Sequence, residues 1–221
     1  MGQLSNRHSE KSVNTSDFIF QTPKRALIVF TRNPELGKCK TRLAKTIGNK
    51  AALEIYIHLL KHTCTITKPV TAVKFVFYSE TISPDDLWDS SIFRKKLQSG
   101  EDLGSRMQNA FSELFELGYE HVMIIGSDLL ELSVSHIENA FKHLHNHDLV
   151  IGPAKDGGYY LLAMKKLHES IFKNKNWGTA SVLNDTLNDL NNFDVKLIEE
   201  LNDIDTFEDI KDNSELQKYF S

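Results

Sequence analysis

The chain reads as a single α/β domain built on a mostly parallel or mixed sheet covered by helices on both faces. Three observations predict this. The 221 residues, 40% of them hydrophobic, suit one domain with a substantial core. The first apolar run, Arg25-Ala-Leu-Ile-Val-Phe-Thr31, is continuous rather than alternating, the mark of a strand buried on both faces. Downstream, short apolar runs alternate with segments of helical periodicity, which predicts strands flanked by covering helices.

The elements follow in order. After the first strand comes a polar loop, then a helix from about residue 50 to 65 in which Leu53, Ile57 and Leu60 recur at helical spacing. Residues 73–78 predict a second strand. Residues 103–117 predict a helix with Met107, Ala110, Phe111, Leu114 and Leu117 on one stripe. Residues 122–125 form a short buried strand, and 134–144 a helix for which Ser133 is a good cap. Extended segments at 149–151 and 159–164, a helix at 180–190, a strand at 195–198 and a helix at 207–220 complete the series. The most loop-like internal stretch is 81–91, with Pro84, Asp85 and Asp86. Residues 1–22 are polar and predict a flexible tail before a domain spanning 23–221. Its Met1-Gly2 opening lacks the Ser or Thr at position 6 that myristoylation requires.

Charge and cysteine usage narrow the function classes. Lys+Arg 26 against Asp+Glu 30 gives a net charge of -4, so no global positive field draws the chain to nucleic acid or anionic lipid. Any phosphate site must be local. Cys39 and Cys64 have neither zinc spacing nor the density of a disulfide framework. No apolar run approaches the roughly 20 residues of a membrane helix. The expectation is a reduced, cytoplasmic protein with no nucleic-acid or membrane partner and an oligomeric state left open.

Ligands of open α/β sheets lie at the carboxyl ends of the strands, which directs attention to the loop after the first strand. It packs Arg32, Lys38, Lys40 and Arg42 around Gly37. Cations supply donors to phosphate oxygens, and glycine permits backbone amides to approach an anion. The plain alternative is a solvated basic turn, disfavoured by its place beside the most apolar strand. A Walker P-loop does not fit: Arg32 stands where its first glycine belongs, and Cys39 where Ser or Thr must follow the lysine.

Two acidic features complement this loop. Gly126-Ser127-Asp128 sets a carboxylate just past a strand, where it can hold Mg2+ or Mn2+ against phosphate oxygens. Asn202-Asp203-Ile204-Asp205-Thr206 offers a second cluster, with Glu208 and Asp209 behind it, that also reads as an acidic helix start. Asp156-Gly157-Gly158 joins two extended segments as a turn, either a plain hairpin or one that leaves room for a ligand. His143, His145 and His147 read as solvated surface, Trp177 as packing at a helix entrance, and Cys39 as a loop residue amid cations that could lower its pKa.

Taken in order, Phe30-Thr31-Arg32-x-Pro34-x-x-Gly37-x-x-Lys40-Thr41-Arg42-Leu43, Gly100-x-Asp102-Leu103-Gly104-x-Arg106-Met107, Gly126-Ser127-Asp128, Gly152-Pro153-x-x-Asp156-Gly157-Gly158-Tyr159, Trp177 and Asp203-Ile204-Asp205-Thr206 resemble a bacterial family. It is the nucleotide-diphospho-sugar transferase-like family labelled glycosyltransferase A and associated with radical-SAM and selenium-related domains. The likeness spans roughly residues 25 to 211. It implies the GT-A-type fold, a three-layer α/β/α sandwich with a mixed, mostly parallel sheet. It further implies a nucleotide site of Thr31, Arg32, Gly37, Lys38, Lys40, Arg42, Gly100, Asp102 and Arg106, in which Lys40 and Arg42 contact phosphates and 100–106 lies near the base or ribose. Asp128 becomes the principal metal ligand and Asp205 a second, with Lys40, Arg42 and Asp128 catalytic and Asp156, Gly157, Gly158 and Trp177 on the acceptor side. Where such relatives follow the metal Asp with a small residue and proline, this chain has Leu129-Leu130.

The implied activity is a divalent-metal-dependent transferase acting on a nucleoside triphosphate or nucleotide sugar. The dense basic loop and the lack of an Asp-x-Asp signature at Asp128 lean toward nucleotidyl transfer onto a small phosphorylated or hydroxyl acceptor. A glycosyltransferase using a nucleotide-diphospho-sugar donor and a non-catalytic nucleotide-binding domain are the alternatives.

Overall fold

The computed structural model describes residues 24–220; the expected tail at 1–22 and its Met1-Gly2 start lie outside the described residues. Seven strands form one sheet: β1 (Arg25–Thr31), β2 (Val73–Tyr78), β3 (Phe93–Leu97), β4 (His121–Ile125), β5 (Leu149–Pro153), β6 (Tyr159–Met164) and β7 (Val195–Leu197). Their order is β3-β2-β1-β4-β6-β5-β7. β1 is parallel to β2 and β4, and β2 to β3, whereas β6 runs antiparallel to both β4 and β5. The sheet is therefore mixed and mostly parallel, as the sequence predicts.

The helices are α1 (Thr41–Ile47), α2 (Asn49–Thr67), α3 (Leu103–Glu116), α4 (Val134–Asn146) and α5 (Val182–Asp189). Alternation along the strands divides the core between two faces. Leu27 and Val29 of β1, with Met123 and Ile125 of β4, pack under Tyr56 and Leu60 of α2 and Ile137, Phe141 and Leu144 of α4. Ala26, Ile28, Val122 and Ile124 pack instead under Met107, Phe111 and Leu114 of α3 and Ile171 and Phe172 of the 3-10 turn at Glu169–Phe172. Helix, sheet and helix thus form three layers. Truncating Phe111 or Phe141, both fully buried, would remove about 3–5 kcal/mol each. No helix among the described residues is long and apolar enough to cross a membrane.

Four expectations from the sequence need correction. The segment read as a continuous polar loop after β1 contains α1, which buries only Leu43 and so carries almost no apolar signal. β3 was not expected, because Phe-Arg-Lys-Lys-Leu is a sheet-edge strand whose charged side chains face solvent and partners. Its Lys95 Nζ lies 2.8 Å from Asp86 Oδ1, and Lys96 pairs with Glu113.

Within α2, Leu53 and Ile57 are only half-buried. The helix is covered on two sides, by the sheet at Tyr56 and Leu60 and by the C-terminal segment at Ile55 and Leu59. Finally, residues 207–220 form turns and a 3-10 helix at Gln217–Tyr219 rather than an α-helix. Side chains compete for the backbone there: Asp209 Oδ2 accepts from the amides of Asp205 and Thr206, and Asn213 Oδ1 from those of Glu215 and Leu216. Ile210 and Leu216 of this segment, with Ile204 just before it, seal the outer side of α1 and α2.

Candidate active site

After β3 the chain crosses to the other side of β1 to form β4, so the sheet's switch point lies between β1 and β4. Loops leaving the carboxyl ends of those strands must splay apart there, opening a crevice. A cavity of about 790 Å3 occupies it. It is lined by Thr31 at the end of β1, Arg32, Lys38 and Lys40 from the first loop, Arg42 from α1, Asp102 and Arg106 from the start of α3, and Asp128, Asp156, Asp203 and Asp205.

Tyr56 fixes where the first loop begins. Its hydroxyl accepts from the Arg32 amide at 2.9 Å, donates to the Arg32 carbonyl at 3.1 Å, and sits 3.2 Å from Thr31 Oγ1. Asn33 ties the same loop to the segment after β2: its Oδ1 accepts from the Glu80 amide at 3.0 Å and its Nδ2 donates to the Thr81 carbonyl at 2.8 Å. Gln98, just past β3, donates to the carbonyls of Thr31 and Phe77. Neither Tyr56 nor Gln98 was marked by the sequence, where each is an ordinary residue of an element; only the convergence of strand ends reveals them.

The centre of the crevice is an ion-pair cluster. Lys40 adopts a left-handed backbone conformation, φ 49°, immediately before α1. This turns its side chain under the acidic wall, where it is 7% exposed and its Nζ lies 2.8 Å from Asp128 Oδ2 and 4.0 Å from Asp205 Oδ1. Burial opposes the ammonium charge, but Asp128, then Asp205 and Asp203, outweigh it and hold the lysine pKa above its ordinary value. Arg42 Nη1 reaches Asp205 Oδ2 at 3.0 Å from the exposed rim. Burial first, then the charges of Asp128 and Asp156, push the Asp203 carboxyl up to about 6, against the pull of Lys40. Asp203 thus joins the cluster as a carboxylate the sequence reading did not single out as a ligand.

The acidic loop is held to the Asp128 turn by the backbone. The Ile204 amide donates to the Asp128 carbonyl at 3.1 Å, and Asp209 takes the turn's remaining amides. Asp205 therefore caps no helix, and its carboxylate faces Lys40 and Arg42. Leu129 and Leu130 are anchors for the same turn: Leu129 packs on the sheet and Leu130 against the cluster around Leu43 and Ile55. The departure at these two positions leaves the Asp128 carboxylate in the crevice.

The other anticipated residues divide between the cavity linings and positions outside them. Lys38 sits on the rim, 2.7 Å from Glu35 Oε2. Asp102 lines the cavity while its Oδ1 caps α3 by accepting from the Ser105 amide at 2.7 Å, and Arg106 Nε donates to the Gly100 carbonyl. Gly37, Gly100 and Gly157 lie outside the cavity linings and serve backbone geometry. At Gly157, φ 89°, an added Cβ would lie 2.4 Å from the Ala180 carbonyl oxygen. Gly158 and Trp177 line a second lobe of about 250 Å3 that shares Asp128, Asp156 and Asp203 with the first.

Trp177 packs on the first turn of α3, where a Cβ at Gly104 would meet its indole nitrogen at 2.6 Å. Cys39 is the buried loop residue the sequence suggested, and burial pushes its thiol up, outweighing the neighbouring cations that could have lowered it. His145 contacts Arg25 and His121, and His147 pairs with Asp194. Among the described residues no group of three or more His, Cys, Asp or Glu forms a ready-made metal cage.

The all-oxygen donors Asp128, Asp203 and Asp205 nevertheless suit a hard cation. Burial is the larger cause of the upward push on Asp203, and the charges of Asp128 and Asp156, which add to it, are what such a cation would offset. In the structure the Lys40 ammonium holds the cationic position.

This architecture is that of the nucleotide-diphospho-sugar transferase class. A solved protein from Desulfovibrio desulfuricans G20, described as a candidate nucleotide-diphospho-sugar transferase, superposes with a TM-score of 0.78 at 28% identity, covering 87% of this chain and 90% of its own. The 4-diphosphocytidyl-2C-methyl-D-erythritol synthase of Anaerococcus prevotii DSM 20548 shares the fold alone, with a TM-score of 0.56 and 15% identity over 87% of this chain and 96% of its own.

The chain belongs to the family DUF2064, described as an uncharacterized protein conserved in bacteria, whose model matches residues 64–179. It is also 26% identical over 131 residues to the 2-phospho-L-lactate guanylyltransferase of Methanocaldococcus jannaschii and 25% identical to that of Methanocaldococcus fervens. These matches cover 59% of this chain, which spans little more than half the length of either curated relative, 56% and 57%.

Proposed function

We propose that this chain is a metal-dependent nucleotidyltransferase: it binds a nucleoside triphosphate in the larger cavity and transfers the nucleotidyl group to a small acceptor with release of pyrophosphate. The observation that carries the reading is the buried Lys40, set 2.8 Å from Asp128 directly beneath a basic rim containing Arg32, Lys38 and Arg42. The similarity to guanylyltransferases supports transfer of a nucleotidyl rather than a glycosyl group.

In this reading the acceptor oxygen attacks the α-phosphorus, the bond from that phosphorus to the β-phosphate bridging oxygen breaks, and pyrophosphate leaves. Lys40 and Arg42 stabilise the charge gathering on the leaving group, and Lys38 receives it at the rim. Tyr56 and Asn33 hold the loop so that this electrostatic arrangement is already formed when substrate arrives. A Mg2+ or Mn2+ ion held by Asp128 and Asp205, with Asp203 beside them, would supply Lewis-acid polarisation of the phosphate oxygens. No protein nucleophile is required.

The test is a panel of nucleoside triphosphates and nucleotide sugars, each with Mg2+ or Mn2+ and mixed small alcohols and phosphorylated hydroxy acids, scoring pyrophosphate and nucleoside diphosphate separately. Pyrophosphate release that Asp128→Ala abolishes is the expected result. Nucleoside diphosphate release from a nucleotide sugar would establish glycosyl transfer instead. Tight nucleotide binding with neither product would establish a non-catalytic nucleotide-binding domain.

A further inference from the structure

The smaller lobe differs chemically from the cavity it opens into. Its walls are Leu103, Met107, Leu129, Val182 and the rings of Tyr159, Tyr160 and Trp177, and no Lys, Arg or His lines it. The cations of the site all belong to the larger cavity: Arg32, Lys38, Lys40, Arg42 and Arg106. Where the two meet stand three carboxylates, Asp128, Asp156 and Asp203. The larger cavity also carries carboxylates, Glu80, Glu101, Asp102 and Asp205 among them, but it alone offers cations to a nucleotide's phosphates; the smaller lobe offers none.

Resting on the nucleotidyl-transfer reading, we infer that the acceptor is a small alcohol with an apolar body, uncharged or positively charged, and not a carboxylic or phosphorylated acid. An acidic acceptor seated in the lobe would place its anion on apolar walls or beside the three carboxylates, where the nearest cation, Lys40, lines the larger cavity and is already paired with Asp128 at 2.8 Å. An alcohol buries its hydrocarbon against Leu103, Val182 and Trp177 and directs its hydroxyl to the junction.

The balanced step is attack of that hydroxyl oxygen on the α-phosphorus, loss of pyrophosphate, and passage of the hydroxyl proton to Asp156. This carboxylate lines both cavities and has its Oδ1 held at 2.8 Å by the Gly158 amide. The product is a singly negative phosphodiester whose alcohol-derived group is neutral or cationic. The lobe thereby separates this chain from its curated relatives, whose name specifies a phosphorylated hydroxy acid.

Trp177 lines the lobe while Trp88 is 2% exposed in the core on the opposite face of the sheet, so tryptophan fluorescence reads the lobe selectively. The experiment titrates the full chain, with Mn2+ and a non-hydrolysable nucleoside triphosphate bound, with three five-carbon probes: a diol, an amino alcohol and a hydroxy acid. Nucleotide binding is measured separately by calorimetry, so its failure would count against the nucleotidyl reading rather than the acceptor class. The expected result is that the diol or the amino alcohol binds about tenfold or more tightly than the acid, and that Thr179→Lys, which adds a cation at the exposed rim, narrows the difference. With nucleotide bound, an acid that binds as tightly as the best alcohol overturns the inference, as does a flat response to all three probes.

Discussion

Lys40 Nζ lies 2.8 Å from Asp128 Oδ2, and this pair joins the first strand's loop to the fourth strand's turn across the sheet's switch point. The lysine is almost fully covered while its partner is one-third exposed, so the acid stays open to ligands on one side.

Replacing the lysine by methionine leaves Asp128, Asp203 and Asp205 without their central counter-charge. Allowing for the exposure of Asp128 and Asp205, Lys40→Met should cost about 1–2 kcal/mol in urea unfolding. Mn2+ should then raise the melting temperature of the variant more than that of the parent, because the ion and the ammonium relieve the same repulsion. Equal metal-induced shifts in the two proteins would show that the carboxylates are not a common cation site.

Tyr56 acts on the loop rather than on substrate. Tyr56→Phe removes the hydroxyl that accepts from the Arg32 amide and donates to its carbonyl. The expected result is a loss of about 1–2 kcal/mol, with faster hydrogen exchange at the Arg32 amide and weaker nucleotide affinity in calorimetry. Unchanged exchange would mean that the strand end alone holds the loop.

Asp209 organises the turn that presents Asp205. Its Oδ2 accepts from the Thr206 amide at 2.6 Å, the Thr206 hydroxyl at 2.8 Å and the Asp205 amide at 3.1 Å, and its Oδ1 from Asn202 Nδ2 at 3.0 Å. Asp209→Ala should lower stability by about 2–3 kcal/mol and weaken Mn2+ binding, although Asp209 itself lines neither cavity. Asp209→Asn should recover part of both losses, since one amide oxygen can still accept; failure of Asn to improve on Ala would point to charge rather than acceptor geometry.

His121 supplies a pH dependence of stability. Burial, then the neighbouring His145 and Arg25, with Lys165 adding to them and Glu120 opposing, hold its pKa below the ordinary 6.5. Above that value both folded and unfolded chains carry it neutral. As pH falls below 6.5 the unfolded chain takes up the proton first, so stability declines until the folded-state pKa is passed. His121→Gln should flatten the decline between about pH 7 and 5 in urea titrations. His168 is depressed by burial too, so the double variant should be flatter still.

Legibility in the sequence followed burial. β1, β2 and β6 were readable to the residue because strands covered on both faces are largely apolar runs, broken within β2 only by Lys74 near its start. α3 and α4 were readable because an amphipathic helix repeats its apolar stripe, and Ser133 does cap α4, accepting from the His136 amide. β3 was not, since an edge strand needs charge on its open side, and α1 was not, since a seven-residue helix with one buried leucine has no stripe to repeat.

The residue types of the site were also legible: a basic loop after a buried strand, an aspartate after another, and an acidic pair near the end. Local pattern sufficed for these because strand ends and their loops are short-range features. Tertiary structure alone decided that Lys40 turns inward to Asp128 while Arg42 stays on the rim, that Asp203 joins the cluster, and that the smaller lobe contains no cation. Those facts depend on segments separated by 88 and more residues meeting at the switch point of one sheet. Charge that reads as a solvated patch along the chain becomes a paired, half-buried centre only when the opposite wall arrives.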